Sequence, residues 1–206
     1  MFDFLGIPRL LERAVERYGG AGDADLGVDE LVREVGAEPS KPWIGLLTNV
    51  MWDAQLHYGS NAFPNMLEWV LSTIEWFAQR PDLQLIIRAH PAELRGSLVS
   101  RQPIVAEIRR RFPSLPPNVF LIGPESQVST YAVMARCNAV LIYGTKTGVE
   151  LASLGVPVIV AGEAWIRNKG LTLDAASAPD YFSLLERLPL PEAMPAAQVE
   201  RARRYA

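Results

Sequence analysis

The 206-residue sequence has one cysteine, two histidines and no apolar run long enough to span a bilayer. Cys137 alone can neither close an internal disulfide nor build a CxxC metal knuckle, which suits a reducing compartment. A spanning helix needs roughly 20 apolar residues. The opening "MFDFLGIPRLLERAVERYGG" is too charged for the core of a signal peptide. A cytoplasmic location is therefore expected. A basic excess is also missing: 20 Lys and Arg face 23 Asp and Glu, for a net charge of -3. Nucleic acid is not expected as a partner, because its phosphates call for a broad positive field. Arginines at 109, 110, 111, 201, 203 and 204 leave peripheral association with an inner-membrane surface open, although solvated helix faces are the favoured account of them. Neither GxxxxGK[ST] nor GxGxxG occurs, which excludes a Walker loop and the dinucleotide fingerprint. No metal site and no cofactor are expected.

What is present is a core: 49% of the residues are hydrophobic, enough for one sizeable α/β domain. Apolar residues at 7, 10, 11, 14, 15 and 18 and the segment "VDELVREVG" predict two lead-in helices. After Pro42, short apolar runs ("WIGLLTN", "LQLIIR", "NVFLI", "AVLIY", "PVIV") alternate with helical patterns at 63–78, 104–112, 128–136, 147–154 and 180–188. Five strands alternating with helices predict an α/β fold, a Rossmann-like parallel sheet with helices on both faces. The expected organisation is a helical lead-in at 1–40, the sheet domain at 41–190 and a tail at 191–206.

In open parallel sheets, ligands bind beyond the carboxyl ends of the strands. The unusual polar residues of this chain collect there. Gly144, Thr145, Lys146, Thr147 and Gly148 form a strand-to-helix turn whose first amides suit an anion, although glycine and threonine caps would serve the turn alone. His90 precedes Pro91, which forces extended backbone and aims the imidazole at the crevice, where it could donate to a phosphate or simply satisfy a loop. Asp53 and Glu93 are weak candidates for a general base; Asp53 could equally cap a turn.

Two stretches together, "IIRAHPAE" at 86–93 and "YGTKTGVELASLGVPVIVAGEAWIRNKGLTLD" at 143–174, resemble the carboxyl-terminal half of capsule polysaccharide biosynthesis proteins, which are GT-B glycosyltransferases. "LLTNVMWDA" fits the same group, and the likeness covers about residues 41–188. The resemblance implies specific roles. In the similar capsule Kdo transferases and bacterial sialyltransferases, a His-Pro pair and a Ser/Thr motif hold the phosphate and ribose of a CMP-sugar, which maps to His90, Pro91, Thr145 and Thr147. Glu150, Gly155 and Pro157 resemble the segment whose glutamate binds donor ribose hydroxyls; its partner glutamate, common in retaining enzymes, is replaced by Ile142. Arg167 and Lys169, in a loop that closes near the donor, are implied to balance its charge.

The implied function is nucleotide-sugar donor binding, with a CMP-sugar, in a transferase for capsule or surface polysaccharide. The acceptor would be a polysaccharide or glycolipid. GT-B enzymes carry two Rossmann-like domains and this chain has room for one, so a fragment or an amino-terminal half on another chain is expected. The alternatives are a non-catalytic nucleotide-binding or scaffold module and an epimerase-like protein acting on UDP-sugars.

Overall fold

A computed structural model describes residues 28–52, 59, 61–95, 100–191 and 193–206. The first expected lead-in helix and Asp53 lie outside the described residues. The chain enters through α1 (Val28–Val35), closed by Gly36 in the left-handed region at φ 76°. It then forms β1 (Trp43–Leu47), α2 (Met66–Phe77), β2 (Gln84–Arg88), the short α3 (Ala92–Arg95) and α4 (Ile104–Arg111). The elements β3 (Val119–Ile122), α5 (Thr130–Ala135), β4 (Ala139–Ile142), α6 (Thr147–Leu154) and β5 (Val158–Val160) follow. A two-residue β6 (Leu173–Asp174), α7 (Ala178–Leu185) and α8 (Ala196–Tyr205) complete the order.

All six strands are parallel, in the order β3-β2-β1-β4-β5-β6. Strand alternation explains why helices cover both faces. Trp43, Leu47, Ile86, Val140, Ile142 and Val158 point into one buried cluster, under α5 and α6, while Ile44, Leu46, Leu85, Ile87, Leu141 and Ile159 point into the other, with α2, α4 and α7. A strand buried on both sides loses its polar alternation, which is why these strands read as continuous apolar runs.

The predicted helix at 63–78 begins later, because Asn65 is its cap and accepts the Glu68 N–H at 2.9 Å. Likewise α7 starts two residues before the predicted boundary, where the Ser177 side chain accepts the Asp180 N–H. The segment after residue 190, expected as a tail, forms α8. Its Ala202 is fully buried, and Arg203 donates to the Ser153 carbonyl at 3.0 Å. The sixth strand escaped prediction because two residues carry no detectable period.

Gly45 sits in the middle of β1 on the face covered by α5. A Cβ there would collide with Met134 Sδ and lie 3.1 Å from Val140 Cγ2 and 3.2 Å from Cys137 Sγ. The glycine thus sets how closely α5 approaches the sheet beside the central strand. Gly45→Ala is expected to destabilise the fold by about 1–3 kcal/mol through overpacking. Urea unfolding of G45A, M134A and the double variant checks this: the two costs should fall short of additive, because Met134→Ala vacates the space that the new methyl needs.

Candidate functional site

The chain leaves β1 toward β2 and β3, then returns to the other side of β1 as β4, so the crossovers diverge at that pair and open a crevice beyond the strand ends. A cleft of about 130 Å³ lies there. Thr48 borders it from the end of β1, Arg88, His90 and Pro91 from the end of β2, and Thr145 and Thr147 from the turn after β4. Thr130 and Tyr131, at the opening of α5, border it as well. Four residues singled out from sequence, His90, Pro91, Thr145 and Thr147, therefore converge although they come from two distant segments.

His90 is held through both its backbone and its ring. Its N–H donates to Thr48 Oγ1 at 3.1 Å, and its ring Nδ1 accepts the Ala92 N–H at 3.1 Å. Ala92 opens α3, so its amide is one of the donors that a helix start leaves without an intrahelical acceptor. Acceptance at Nδ1 places the proton of the neutral ring on Nε2, which makes Nε2–H the atom for donation to a ligand.

The turn after β4 differs from expectation in detail. The Thr147 N–H points at Thr145 Oγ1 at 3.4 Å, the Gly148 N–H at the Thr145 carbonyl at 3.3 Å, and the Val149 N–H at the Lys146 carbonyl at 3.0 Å. These amides already have acceptors, so the Thr145 and Thr147 hydroxyls, 3.4 Å apart, are the groups that the turn offers to the cleft. Gly144 bends the chain without entering the left-handed region. Gly148 answers to packing: a Cβ would collide with Ile142 Cδ1, so the glycine lets α6 lie close on β4. Lys146 is exposed, 3.5 Å from Glu150.

Glu150 is buried in the first turn of α6, and its Oε2 accepts the Tyr131 hydroxyl at 2.7 Å. Tyr131 stands between that carboxylate and the cleft. Arg88, also buried, donates from Nε to Thr130 Oγ1 at 3.3 Å, from one terminal nitrogen to the Gly123 carbonyl, and from the other to the Ser126 carbonyl at 3.2 Å. Sequence reasoning passed over Arg88, Thr130 and Tyr131. The available signal was an arginine two positions before His90, at the end of a buried strand where a cation has no packing purpose.

Two of the expected residues make contacts within the fold. Glu93 does not border the cleft; its carboxylate oxygens accept the Ile104 N–H, each at 3.1 Å, and so cap α4. Burial pushes its pKa up, and the Ile104 bond pulls against that. Arg167 does not border the cleft. It is buried and donates to the carbonyls of Val160 (3.3 Å), Gly162 (3.1 Å) and Ala175 (2.9 Å), tying β5 to the chain that leaves β6. Lys169 is exposed outside the cleft lining. Among the described residues, no three His, Cys, Asp or Glu side chains converge as a metal site would require.

A family model described as capsule polysaccharide biosynthesis protein matches residues 25–198. Among solved structures, the beta Kdo 2,4 transferase of Thermosulfurimonas dismutans KpsC aligns at 14% identity and TM-score 0.56, over 96% of this chain and 53% of that one. The beta Kdo 2,7 transferase of the same KpsC aligns at 20% identity and TM-score 0.50, over 94% and 51%. UDP-GlcNAc 2-epimerase from Neisseria meningitidis, bound to UDP-GlcNAc, aligns at 15% and TM-score 0.58, over 93% and 46%. These likenesses establish the GT-B half-fold, and the chain spans about half the length of the structures it matches. No curated protein matches significantly.

Because Glu93 acts as a cap, Glu93→Ala should cost about 1–2 kcal/mol by stranding the Ile104 N–H. The pH dependence has a defined sign. A carboxyl whose folded pKa is raised contributes most favourably below its unfolded pKa, and that contribution is lost as pH rises through the raised value. Glu93→Gln lacks this titration, so its stability relative to the natural chain should improve as pH climbs from the ordinary carboxylate range through that window. Thermal unfolding of both proteins across the range checks this.

Proposed function

Because this chain belongs to the capsule polysaccharide biosynthesis protein family, we propose that it is the donor-binding domain of a glycosyltransferase for capsule or surface polysaccharide, with a CMP-sugar as donor. The carrying observation is the convergence of His90, Thr145 and Thr147 on one cleft at the point where the strand order reverses. A crevice of hydroxyls and a ring N–H suits a phosphate oxygen.

The proposed reaction is direct displacement. An acceptor hydroxyl oxygen bonds to the anomeric carbon, the bond from that carbon to the donor phosphate oxygen breaks, and CMP departs with the electron pair. His90 Nε2–H and the Thr145 and Thr147 hydroxyls stabilise the departing phosphate. Glu150 takes a ribose hydroxyl, in exchange for its present partner Tyr131. The base that removes the acceptor proton, and the polysaccharide or glycolipid acceptor itself, belong to a second Rossmann-like half, in this protein or a partner chain. Exposed apolar residues support such a facing surface: Trp52, Leu94 and Trp165 all follow strand carboxyl ends, those of β1, β2 and β5.

Arg110 pairs with Glu107, Arg111 with Glu75 and Arg204 with Glu200, while Arg203 donates to Ser153. Among the described residues no helix is long and apolar enough to cross a membrane. The fold shared with UDP-GlcNAc 2-epimerase supports a second reading, an epimerase-like protein for UDP-sugars.

Calorimetric titration with CMP, UDP and their sugar conjugates separates these readings. CMP should bind preferentially, and His90→Ala should weaken it by about 10-fold or more, the loss of one hydrogen bond to a charged group. Preference for UDP would favour the epimerase-like reading. A folded chain that binds no nucleotide would leave a scaffold role and sink the donor-site assignment.

A further inference from the structure

We infer that Arg88 is a positioning residue of the cleft, which fixes the segment from Gly123 to Thr130 so that Thr130 and Tyr131 face a bound phosphate-bearing ligand. This inference rests on the nucleotide-binding reading above for its ligand and on geometry for its mechanism. One planar guanidinium reaches three acceptors from two parts of one connection: the Gly123 and Ser126 carbonyls in the loop after β3, and Thr130 Oγ1 at the start of α5. Its own backbone is locked into the sheet, since Arg88 pairs with Leu47 of β1 and Ile122 of β3. The clamp therefore refers the loop to the two strands that border it.

Further bonds tighten the same segment. The Ser126 N–H donates to the Gly123 carbonyl at 3.2 Å, the Val128 N–H to Ser126 Oγ at 3.1 Å, and the Ala132 N–H to Ser129 Oγ at 3.4 Å. Past the clamp, Tyr131 bonds Glu150 on α6. A continuous set of contacts thus runs from the end of β2 through the opening of α5 to α6, along one wall of the cleft. The planar fork reaches these acceptors from three separate nitrogens; the three donors of a lysine radiate from a single flexible nitrogen and do not reproduce that geometry.

The test uses R88K, T130V and R88K/T130V in the full chain, with CMP as probe and circular dichroism to confirm folding. R88K should lower CMP affinity about tenfold, T130V should lower it less, and the double variant should lose little more than R88K alone. Additive losses would overturn the inference, because Arg88 would then act on the ligand independently of Thr130. Undiminished affinity in folded R88K would also overturn it, leaving a purely structural clamp. Amide hydrogen exchange on the ligand-free proteins separates a failure of the nucleotide reading. If the natural chain binds no CMP, faster exchange in R88K confined to 123–131 still upholds the positioning role, and unchanged exchange there refutes it.

Discussion

The reversal of strand order at β1 is the constraint on which the site depends. Parallel strands joined by right-handed crossovers place successive helices on one face while the chain moves one way along the sheet, and on the other face once it moves back. Here β2 and β3 are laid to one side of β1, and β4 and β5 to the other. At that point the crossovers diverge, and side chains from the ends of β1, β2 and β4 border a common cleft. Residues 55 positions apart, His90 and Thr145, become neighbours for this reason alone.

Much of this was legible from the sequence, because apolar runs and helical periods report burial directly. Five strands and their helices follow from that pattern, and His90 follows from the rigid effect of Pro91 on its backbone. What the pattern did not carry was the partner of each polar residue. Glu93 looks like a free carboxylate three positions past a histidine, yet it turns to the Ile104 amide, eleven residues on. Arg167 lies in a loop dense with polar residues, yet its guanidinium goes inward to three carbonyls. Such choices are decided by which unsatisfied backbone group lies within reach, a property of tertiary geometry that local sequence does not encode.

The converse error concerns Arg88 and Tyr131. Both sit in segments that sequence reading had assigned to core elements, a strand and a helix, where polar ends are easily taken as incidental. The buried arginine is costly unless its hydrogen-bonding capacity is used, and using it on the connection after β3 converts that cost into order at the cleft wall. Gly148 shows a similar shift of meaning. A glycine that sequence offers either to a phosphate or to the turn itself lies close against Ile142 on the sheet side. The same residue type serves ligand and packing at this turn, because the helix must come close to the strand before its first residues can border the crevice.

The size of the cleft limits what this fold can do unaided. At about 130 Å³ it is well below the roughly 300–1,000 Å³ of sites that enclose a drug-sized ligand. On the proposed reading it takes a phosphate and its immediate neighbours, and the rest of a nucleotide sugar lies across the outer segments. Those segments present Trp52, Leu94 of α3 and Trp165 to solvent, and Trp165 is braced by its stack on Tyr205, with ring centroids 5.9 Å apart. An exposed aromatic held in place has already given up the freedom that binding would otherwise remove. Under the proposed reading, chemistry divides along the same line. Groups that stabilise a departing phosphate are concentrated at the switch point, whereas the only candidate base among the described residues, Glu93, is committed to a helix cap. On that reading, activation of the acceptor is assigned to the proposed second half across the rim, so that leaving-group stabilisation and nucleophile activation come from opposite sides of the donor.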